Sequence, residues 1–152
     1  PEMILAGRKI NDNMGKFIAD NSIALLNKIA PHSYRAKIAI LGLTFKENCP
    51  DLRNTKVVTV IKNLQNHNCD IIVSDECSDP DEWKKMSEYP ISPLKNIQNQ
   101  DMVIVAVCHD RYLKLTNKDW RRLLKPNGII VDVKSVFKKE NFGSSNFLHW
   151  KL

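Results

Sequence analysis

Residues 37–42 read Lys-Ile-Ala-Ile-Leu-Gly. Four apolar residues in a row, preceded by Lys37 and closed by Gly42, are typical of a buried parallel strand that runs into a turn. Three more apolar runs follow along the chain, at residues 69–73, 101–107 and 128–133. Each run predicts a further buried strand of the same sheet.

Helical segments separate these predicted strands. Residues 56–66 carry apolar side chains at helical spacing, and the segment 116–119 has the form of a capping box that opens a helix over 120–124. Asp79-Pro80 offers another helix start, within a stretch from 74 to 99 that is otherwise irregular. The alternation predicts an α/β fold with a doubly wound, mostly parallel, Rossmann-like sheet.

A long amphipathic helix is predicted before the first strand. Apolar residues recur at helical spacing from Met3 to about Ala30, and Pro31 ends the pattern. One small sheet cannot cover all this apolar surface, so we expect part of the helix to face another domain or a second copy of the chain. Because the helical pattern starts at once after Pro1, we also expect a fragment of a longer protein. At the other end, residues 138–145 predict a polar loop and residues 147–150 a late edge strand.

Composition limits the possible classes of protein. The chain has 152 residues, of which 43% are hydrophobic and 26% charged, as expected for one folded domain. It has neither a run of about 18 apolar residues nor a secretion signal, so we expect no membrane segment. Scattered cysteines and histidines predict reduced thiols of a cytoplasmic protein and no metal site. The net charge of +6 is spread along the chain, which favours a phosphate-bearing small molecule over a nucleic acid.

The loop after the first strand is the expected ligand site, because open parallel sheets bind ligands at the carboxyl ends of their strands. This loop, residues 43–54, follows a single glycine and therefore lacks the G-x-G-x-x-G fingerprint of dinucleotide sites. Charge would have to supply the binding, from the Lys46 ammonium and the planar Arg53 guanidinium. Asp51 would hold the loop, either by pairing with Arg53 or by capping the next helix together with Asn54. These residues alone leave open whether the loop binds a ligand or is simply solvated.

The same stretch resembles the signature that opens the last domain of the UDP-glucose/GDP-mannose dehydrogenase family. The pattern G-x-x-F-K-x-x-x-x-D-x-R is met at residues 42–53. Residues 1–14 resemble the end of the family's central dimerisation helix, in the form found in UDP-N-acetylhexosamine 6-dehydrogenases of polysaccharide synthesis. Shorter matches occur at 106–109, 131–134 and 150–152. The resemblance implies that residues 1–32 end the dimerisation helix and that residues 33–152 form the nucleotide-sugar-binding domain.

The resemblance also implies roles for single residues. Lys46 and Lys134 are expected to bind the UDP-sugar substrate. Arg53 is expected to reach NAD, which a separate amino-terminal domain would mainly hold. His109 is expected to shape a loop or to edge the ligand, since the family does not use it as a base.

The reaction that the resemblance implies is a two-step oxidation of a sugar 6-hydroxyl to a carboxylate, with two NAD molecules and a cysteine thioester. The family's cysteine precedes the central helix, and no cysteine of this chain has that place. The sequence thus predicts no catalytic residue here and no dehydrogenase activity of the chain alone. Three residues near the end of the central helix could face the active site or the partner subunit of a homodimer, or simply form helix surface. They are Arg8, Asn11 and Asp12.

Other readings predict different ligands. Within the same family, the substrate could be UDP-glucose or GDP-mannose in place of a UDP-N-acetylhexosamine. A non-enzymatic nucleotide- or nucleic-acid-binding module would require a clustered basic face with aromatic platforms, whereas the three tryptophans are scattered. A purely structural role is a further alternative, in which the first helix forms the dimer interface of the parent enzyme. It is compatible with the main interpretation.

Overall fold

The structure is a computed structural model that describes residues 2–31 and 34–152, and within the first helix the side chains of residues 3, 6, 9, 10 and those from 12 onward. Helix α1 (Glu2–Ile29) precedes a sheet of five strands in the order β2-β1-β3-β4-β5, and every neighbouring pair is parallel. The strands are β1 (Ala36–Leu41), β2 (Cys69–Ser74), β3 (Gln100–Val105), β4 (Leu124–Asp132) and β5 (Leu148–Lys151). The predicted α/β class and the parallel Rossmann-like sheet are confirmed.

Helices cover both faces of the sheet, as the doubly wound prediction requires. Alternate residues of a strand point to opposite faces, so Ile38 and Ile40 join one core cluster and Ala39 and Leu41 the other. The first cluster includes side chains of α1, α2 (Val57–Leu64) and α3 (Pro80–Lys84). The second includes side chains of α4 (Asp110–Leu113) and α5 (Asn117–Leu123).

The second half of α1 is part of this core. Ile18 and Leu26 are buried, and α1 crosses α2 so closely that a Cβ at Gly15 would lie 2.8 Å from the Thr59 Cβ. In contrast, Met3 and Ile10 are exposed. The helix therefore anchors itself on this domain and leaves apolar side chains uncovered nearer its start. The predicted boundary between residues 32 and 33 lies outside the described residues.

Several predicted boundaries shift. The capping box is present, with Thr116 and Asp119 bonded to each other's backbone, but α5 begins at Asn117. The turn-forming sequence Pro126-Asn127-Gly128 falls inside β4, which begins before the predicted strand at 128–133, and the pairing with β3 jumps there from Gln100↔Leu124 to Met102↔Ile129. The three turn residues are thus accommodated as a bulge.

The carboxy-terminal tail is more ordered than its polar sequence predicts. The predicted loop contains a 3₁₀ helix, Lys139–Phe142, and its Phe142 is buried edge-on against Trp120 at 5.1 Å between ring centroids. The predicted edge strand is present as β5. No helix in the described part of the chain combines the length and apolar character needed to cross a membrane.

Candidate functional site

The loops that follow β1, β2, β3 and β4 meet at one edge of the sheet, which we call the carboxyl edge. They comprise residues 42–56, 75–79, 106–109 and 133–138. The chain leaves β1 towards β2 on one side and returns to β3 on the other side of β1. The point between β1 and β3 is therefore the switch point, where open α/β sheets form their ligand crevice.

Gly42 allows the β1 loop to leave the sheet. Its φ is +85°, and a Cβ there would lie 2.1 Å from the Val107 carbonyl oxygen. Only glycine combines this left-handed conformation with so close an approach to a neighbouring backbone. The sequence signature thus begins with a residue that the turn itself requires.

The β1 loop is fixed at its ends and exposed at its tip. Leu43 and Leu52 are buried, and the Phe45 amide donates to the Asp51 carbonyl at 2.7 Å, which closes the loop on itself. The side chains of Phe45 and Lys46 are exposed. A rigid base therefore presents an aromatic ring and an ammonium group to solvent.

Arg53 pairs with Asp51, which confirms the first of the two roles predicted for that carboxylate. The Arg53 Nε lies 3.0 Å from Asp51 Oδ1, and its terminal nitrogen lies 2.9 Å from Oδ2. This hydrogen bonding lowers the pKa of Asp51 to about 2. The guanidinium is still 87% exposed, so it can meet a further ligand. The helix cap was the alternative role for Asp51; the residue preceding α2 is Lys56, and the first amide of α2, that of Val57, donates to the Thr55 hydroxyl at 3.2 Å.

Lys134 lies on the same edge, in the β4 loop. Its Nζ is 3.6 Å from Glu47 Oε1 on the β1 loop, and both side chains are partly exposed. Lys56 is partly buried beside this pair: burial first, and then the charge of Lys134, lower the pKa of its ammonium group, while Glu47 raises it. The β4 loop is held by Asp132, which accepts hydrogen bonds from the Phe137 amide at 2.9 Å and from His149 Nε2 at 2.9 Å.

A buried Asp75–His109 pair joins three of the loops. Asp75 accepts from the Leu43 amide at 2.7 Å, from the Cys77 amide at 2.8 Å and from His109 Nε2 at 2.9 Å. Both side chains of the pair are about 1% exposed or less. Burial opposes ionisation of Asp75, but the hydrogen bonds from His109 and Leu43 outweigh it and lower the pKa of the carboxyl group.

The same cluster contains a set of atoms that could ligate a metal ion. Among the described residues, ligand atoms of Asp75, Cys77 and His109 lie within 4.8 Å of one another. The spacing of cysteines and histidines in the sequence did not predict this group. However, His109 uses both ring nitrogens within the chain, because Nδ1 accepts from the Asn48 amide at 2.9 Å while Nε2 faces Asp75. The hydrogen bonds account for the cluster without a metal.

Two of the thiols at this edge, those of Cys77 and Cys108, are poor nucleophiles. Burial raises the pKa of Cys108 to about 12, and burial together with nearby Asp75 raises the pKa of Cys77. A thiol acts as a nucleophile in its ionised form. Neither residue therefore has the character of the cysteine that forms a thioester.

The structure places the three predicted basic residues at one edge. Lys46 and Arg53 share a loop, and the Lys134–Glu47 pair links that loop to the β4 loop. Sequence reasoning missed Asp75 and Lys56. A buried Asp75 could have been suspected because it directly follows a buried strand, whereas Lys56 carries no distinguishing signal.

Asp12, one of the three helix residues considered, has a structural contact. The Thr59 hydroxyl donates to Asp12 Oδ1 at 3.0 Å, so Asp12 helps to join α1 to α2. The side chains of Arg8 and Asn11 lie outside the described residues.

These features together define an α/β domain with a charged loop at the switch point of its sheet. A model of the UDP-glucose/GDP-mannose dehydrogenase family, UDP binding domain, matches residues 39–139. The chain belongs to this family.

Known relatives agree with that assignment. The chain is 42% identical over 152 residues to Protein CapL of Staphylococcus aureus, a match that covers all of the chain and 35% of the relative. It is 37% identical over 142 residues to a UDP-N-acetyl-D-glucosamine 6-dehydrogenase of Salmonella typhi, which covers 92% of the chain and 33% of the relative. The chain thus spans about a third of the length of these relatives.

Solved structures agree on the fold. An NDP-N-acetyl-D-galactosaminuronic acid dehydrogenase from Methanosarcina mazei Go1 superimposes with a TM-score of 0.76 at 24% identity. The superposition covers 97% of this chain and 30% of that one. The described fold is therefore the fold of a part of such enzymes.

Proposed function

We propose that the chain is the carboxy-terminal, substrate-binding domain of an NAD-dependent enzyme that oxidises the C6 hydroxyl of a UDP-N-acetylhexosamine to the uronate. The observation that carries this proposal is the β1 loop, whose family signature coincides with the switch point of the sheet. The Salmonella typhi relative is a UDP-N-acetyl-D-glucosamine 6-dehydrogenase, which favours an N-acetylhexosamine as the sugar.

Lys46 and Lys134 are the proposed contacts to the UDP-sugar. Both lie at the carboxyl edge on loops that are anchored by buried residues, and the Lys134 ammonium pairs with a partly exposed Glu47 at 3.6 Å. An exposed ion pair of this kind contributes about 0–1 kcal/mol, so a diphosphate with more charge can replace Glu47 at little cost. Lys56 adds positive charge beside this position.

Arg53 is the proposed contact to NAD. The residues fit a peripheral contact only, because the β1 loop has no G-x-G-x-x-G turn to cradle a pyrophosphate while the Arg53 guanidinium is 87% exposed. NAD, when bound, accepts the hydride in such enzymes. A domain outside residues 1–152 would hold most of it, and we propose that the chain alone is inactive.

A homodimer through the α1 region is part of the same proposal, with residues 1–32 as the end of a central helix. It is supported by the exposed apolar side chains Met3 and Ile10, which a partner helix would cover. Light scattering of the full-length enzyme tests it, and a strict monomer at high concentration would contradict it.

Two alternatives are tested by one experiment. The full-length enzyme, which contains residues 1–152, is assayed for NAD reduction with UDP-N-acetylglucosamine, UDP-glucose and GDP-mannose. We expect the highest kcat/KM with the UDP-N-acetylhexosamine, and no turnover by residues 1–152 alone. A higher kcat/KM with UDP-glucose or GDP-mannose would favour the alternative substrate within the family. No turnover of any of them, combined with tighter binding of DNA than of UDP, would favour a nucleic-acid-binding module.

A further inference from the structure

The backbone around Lys46 is held from both sides by buried polar groups. On one side, the Thr44 hydroxyl donates to the Lys46 carbonyl at 3.0 Å, and Thr44 is itself buried. On the other side, the Asn48 amide donates to His109 Nδ1 at 2.9 Å. The backbone position of Lys46 thus depends on two buried side chains, Thr44 and His109.

Asn48 adopts a conformation that needs such support. Its φ is +57°, in the left-handed region that asparagine tolerates better than most residues. Its side-chain oxygen accepts from the Asp110 amide at 2.9 Å, so the residue is tied to the start of α4 as well as to His109. The β1 loop is therefore fastened to the loop after β3 at two points.

The hydrogen-bond partners of His109 define its tautomer, that is, which ring nitrogen carries the proton. Because a backbone amide can only donate, Nδ1 must be the acceptor and the ring proton of the neutral imidazole is on Nε2. That proton faces Asp75 at 2.9 Å, and Asp75 in turn accepts from the Leu43 amide at the base of the β1 loop. One chain of hydrogen bonds thus runs from the start of the β1 loop through Asp75 and His109 to its tip.

We propose that His109, oriented by Asp75, is a positioning residue that sets Lys46 for binding of the nucleotide diphosphate. This inference rests on the proposed function of Lys46. The imidazole is buried and acts through the Asn48 amide, without contact with the substrate. Binding groups held in place before the ligand arrives lose less entropy on binding, so loosening this tie weakens affinity.

Two variants of His109 separate its two hydrogen bonds. In His109→Asn, the amide oxygen takes the place of Nδ1 and keeps the bond from the Asn48 amide, while the contact with Asp75 is lost. In His109→Gln, the amide nitrogen takes the place of Nε2 and keeps the contact with Asp75, while the Asn48 amide loses its acceptor. Ile130→Val, in the second core cluster, is the control for a general loss of stability.

The affinity of residues 1–152 for UDP is measured by calorimetry, together with the Tm of each variant. We expect His109→Gln to raise Kd about tenfold and His109→Asn to raise it by less than about threefold, at a similar loss of Tm. We expect Ile130→Val to leave Kd unchanged. Equal affinity of wild type and His109→Gln, or losses of affinity that simply follow Tm, would overturn the positioning role.

Binding by the wild-type chain separates a failure of the proposed function from a failure of the positioning role. A wild-type chain that bound no UDP would contradict the proposed function and the positioning role together, whereas normal wild-type binding with an unaffected His109→Gln would contradict only the latter. If both His109 variants fail to fold, hydrogen exchange of the wild type decides. We expect the Asn48 amide to exchange as slowly as core amides of β1, and rapid exchange would show that the tie does not hold.

Discussion

At the scale of single residues, the carboxyl edge separates groups that hold its shape from groups that can meet a ligand. Asp75 and His109 are buried and use their polar atoms within the chain, whereas Lys46 and Arg53 are exposed. The Arg53–Asp51 pair belongs with the groups that can meet a ligand, because an exposed ion pair of this type contributes little to the stability of the fold. Changes to the second group should therefore alter binding with little loss of stability, whereas changes to the first should alter stability and, through the position of Lys46, binding as well.

Asp75→Asn is expected to lower the free energy of unfolding by about 2 kcal/mol at pH 7. The asparagine NH2 group would replace one carboxylate oxygen and would face a backbone N–H or the imidazole N–H, which are donors themselves. The pKa of Asp75 is lowered in the folded chain. Its stabilisation is therefore complete above the unfolded pKa of about 3.9 and is lost as the pH falls through the lower folded value. Urea unfolding of both chains between pH 7 and pH 3 measures this difference.

The expected difference between wild type and Asp75→Asn is constant near neutral pH and shrinks only below about pH 4. A difference that persisted unchanged to pH 3 would mean that the ionised carboxylate does not carry the stabilisation. Asp81→Asn, at an exposed position on α3, is the control and should have little effect at any pH.

At the scale of elements, the signature loop is positioned by the end of β1 and by the strand beside it. The Ala106 amide donates to the Leu41 carbonyl at 2.9 Å, and the Gly42 amide donates to the Ser74 carbonyl at 3.0 Å, so pairing continues to the last residue of β1. Gly42 then turns the chain away against the Val107 backbone. The loop begins from a fixed point that β1 and its two neighbours share.

Gly42→Ala is expected to destabilise the domain by more than about 3 kcal/mol, because a positive φ is strained for alanine and the added Cβ meets backbone atoms that cannot move aside. Gly143 is the matched control. Its φ is also positive, at +63°, but a Cβ there meets the side chain of Asn117, which can move. Thermal unfolding should show a clearly smaller loss for Gly143→Ala, and equal losses would contradict the role of the Val107 contact.

The sequence predicted the strands and the basic residues of the loop for identifiable physical reasons. Four strands contain short runs of apolar residues, and the Thr116–Asp119 capping box is a local interaction between residues three apart. The pattern around Lys46 was identifiable for the same reason, since its residues are neighbours in the chain.

Long-range interactions were not predictable in this way. Two of the partners of Asp75, the Leu43 amide and His109 Nε2, lie 32 and 34 residues away in the sequence, so its position after a buried strand could suggest burial but not these contacts. Phe142 lies among polar residues in the sequence, and its burial depends on the aromatic cluster that it forms with Trp120 and Phe137. The bulge of β4 could not be predicted either, because it is defined by the register in which β4 pairs with β3.

At the scale of the whole molecule, the chain corresponds to about a third of the relatives that it matches. Its carboxyl edge carries positive charge from two loops, and its α1 helix carries exposed apolar side chains. Both surfaces are suited to partners beyond the sheet: a phosphate-bearing substrate at the first, and a further polypeptide surface at the second. We propose that the domain forms one wall of a larger active site.

The most direct test of this account is a calorimetric titration of residues 1–152 with UDP, for wild type and for Lys46→Ala, Lys134→Ala and Lys95→Ala. Lys95 lies in an exposed 3₁₀ turn away from the carboxyl edge and serves as the control. We expect one saturable UDP site, with Kd raised about tenfold by each of the first two substitutions and unchanged by the third. Failure of the wild type to bind UDP, or binding that Lys46→Ala leaves unchanged, would contradict the assignment of the β1 loop as the nucleotide-sugar site.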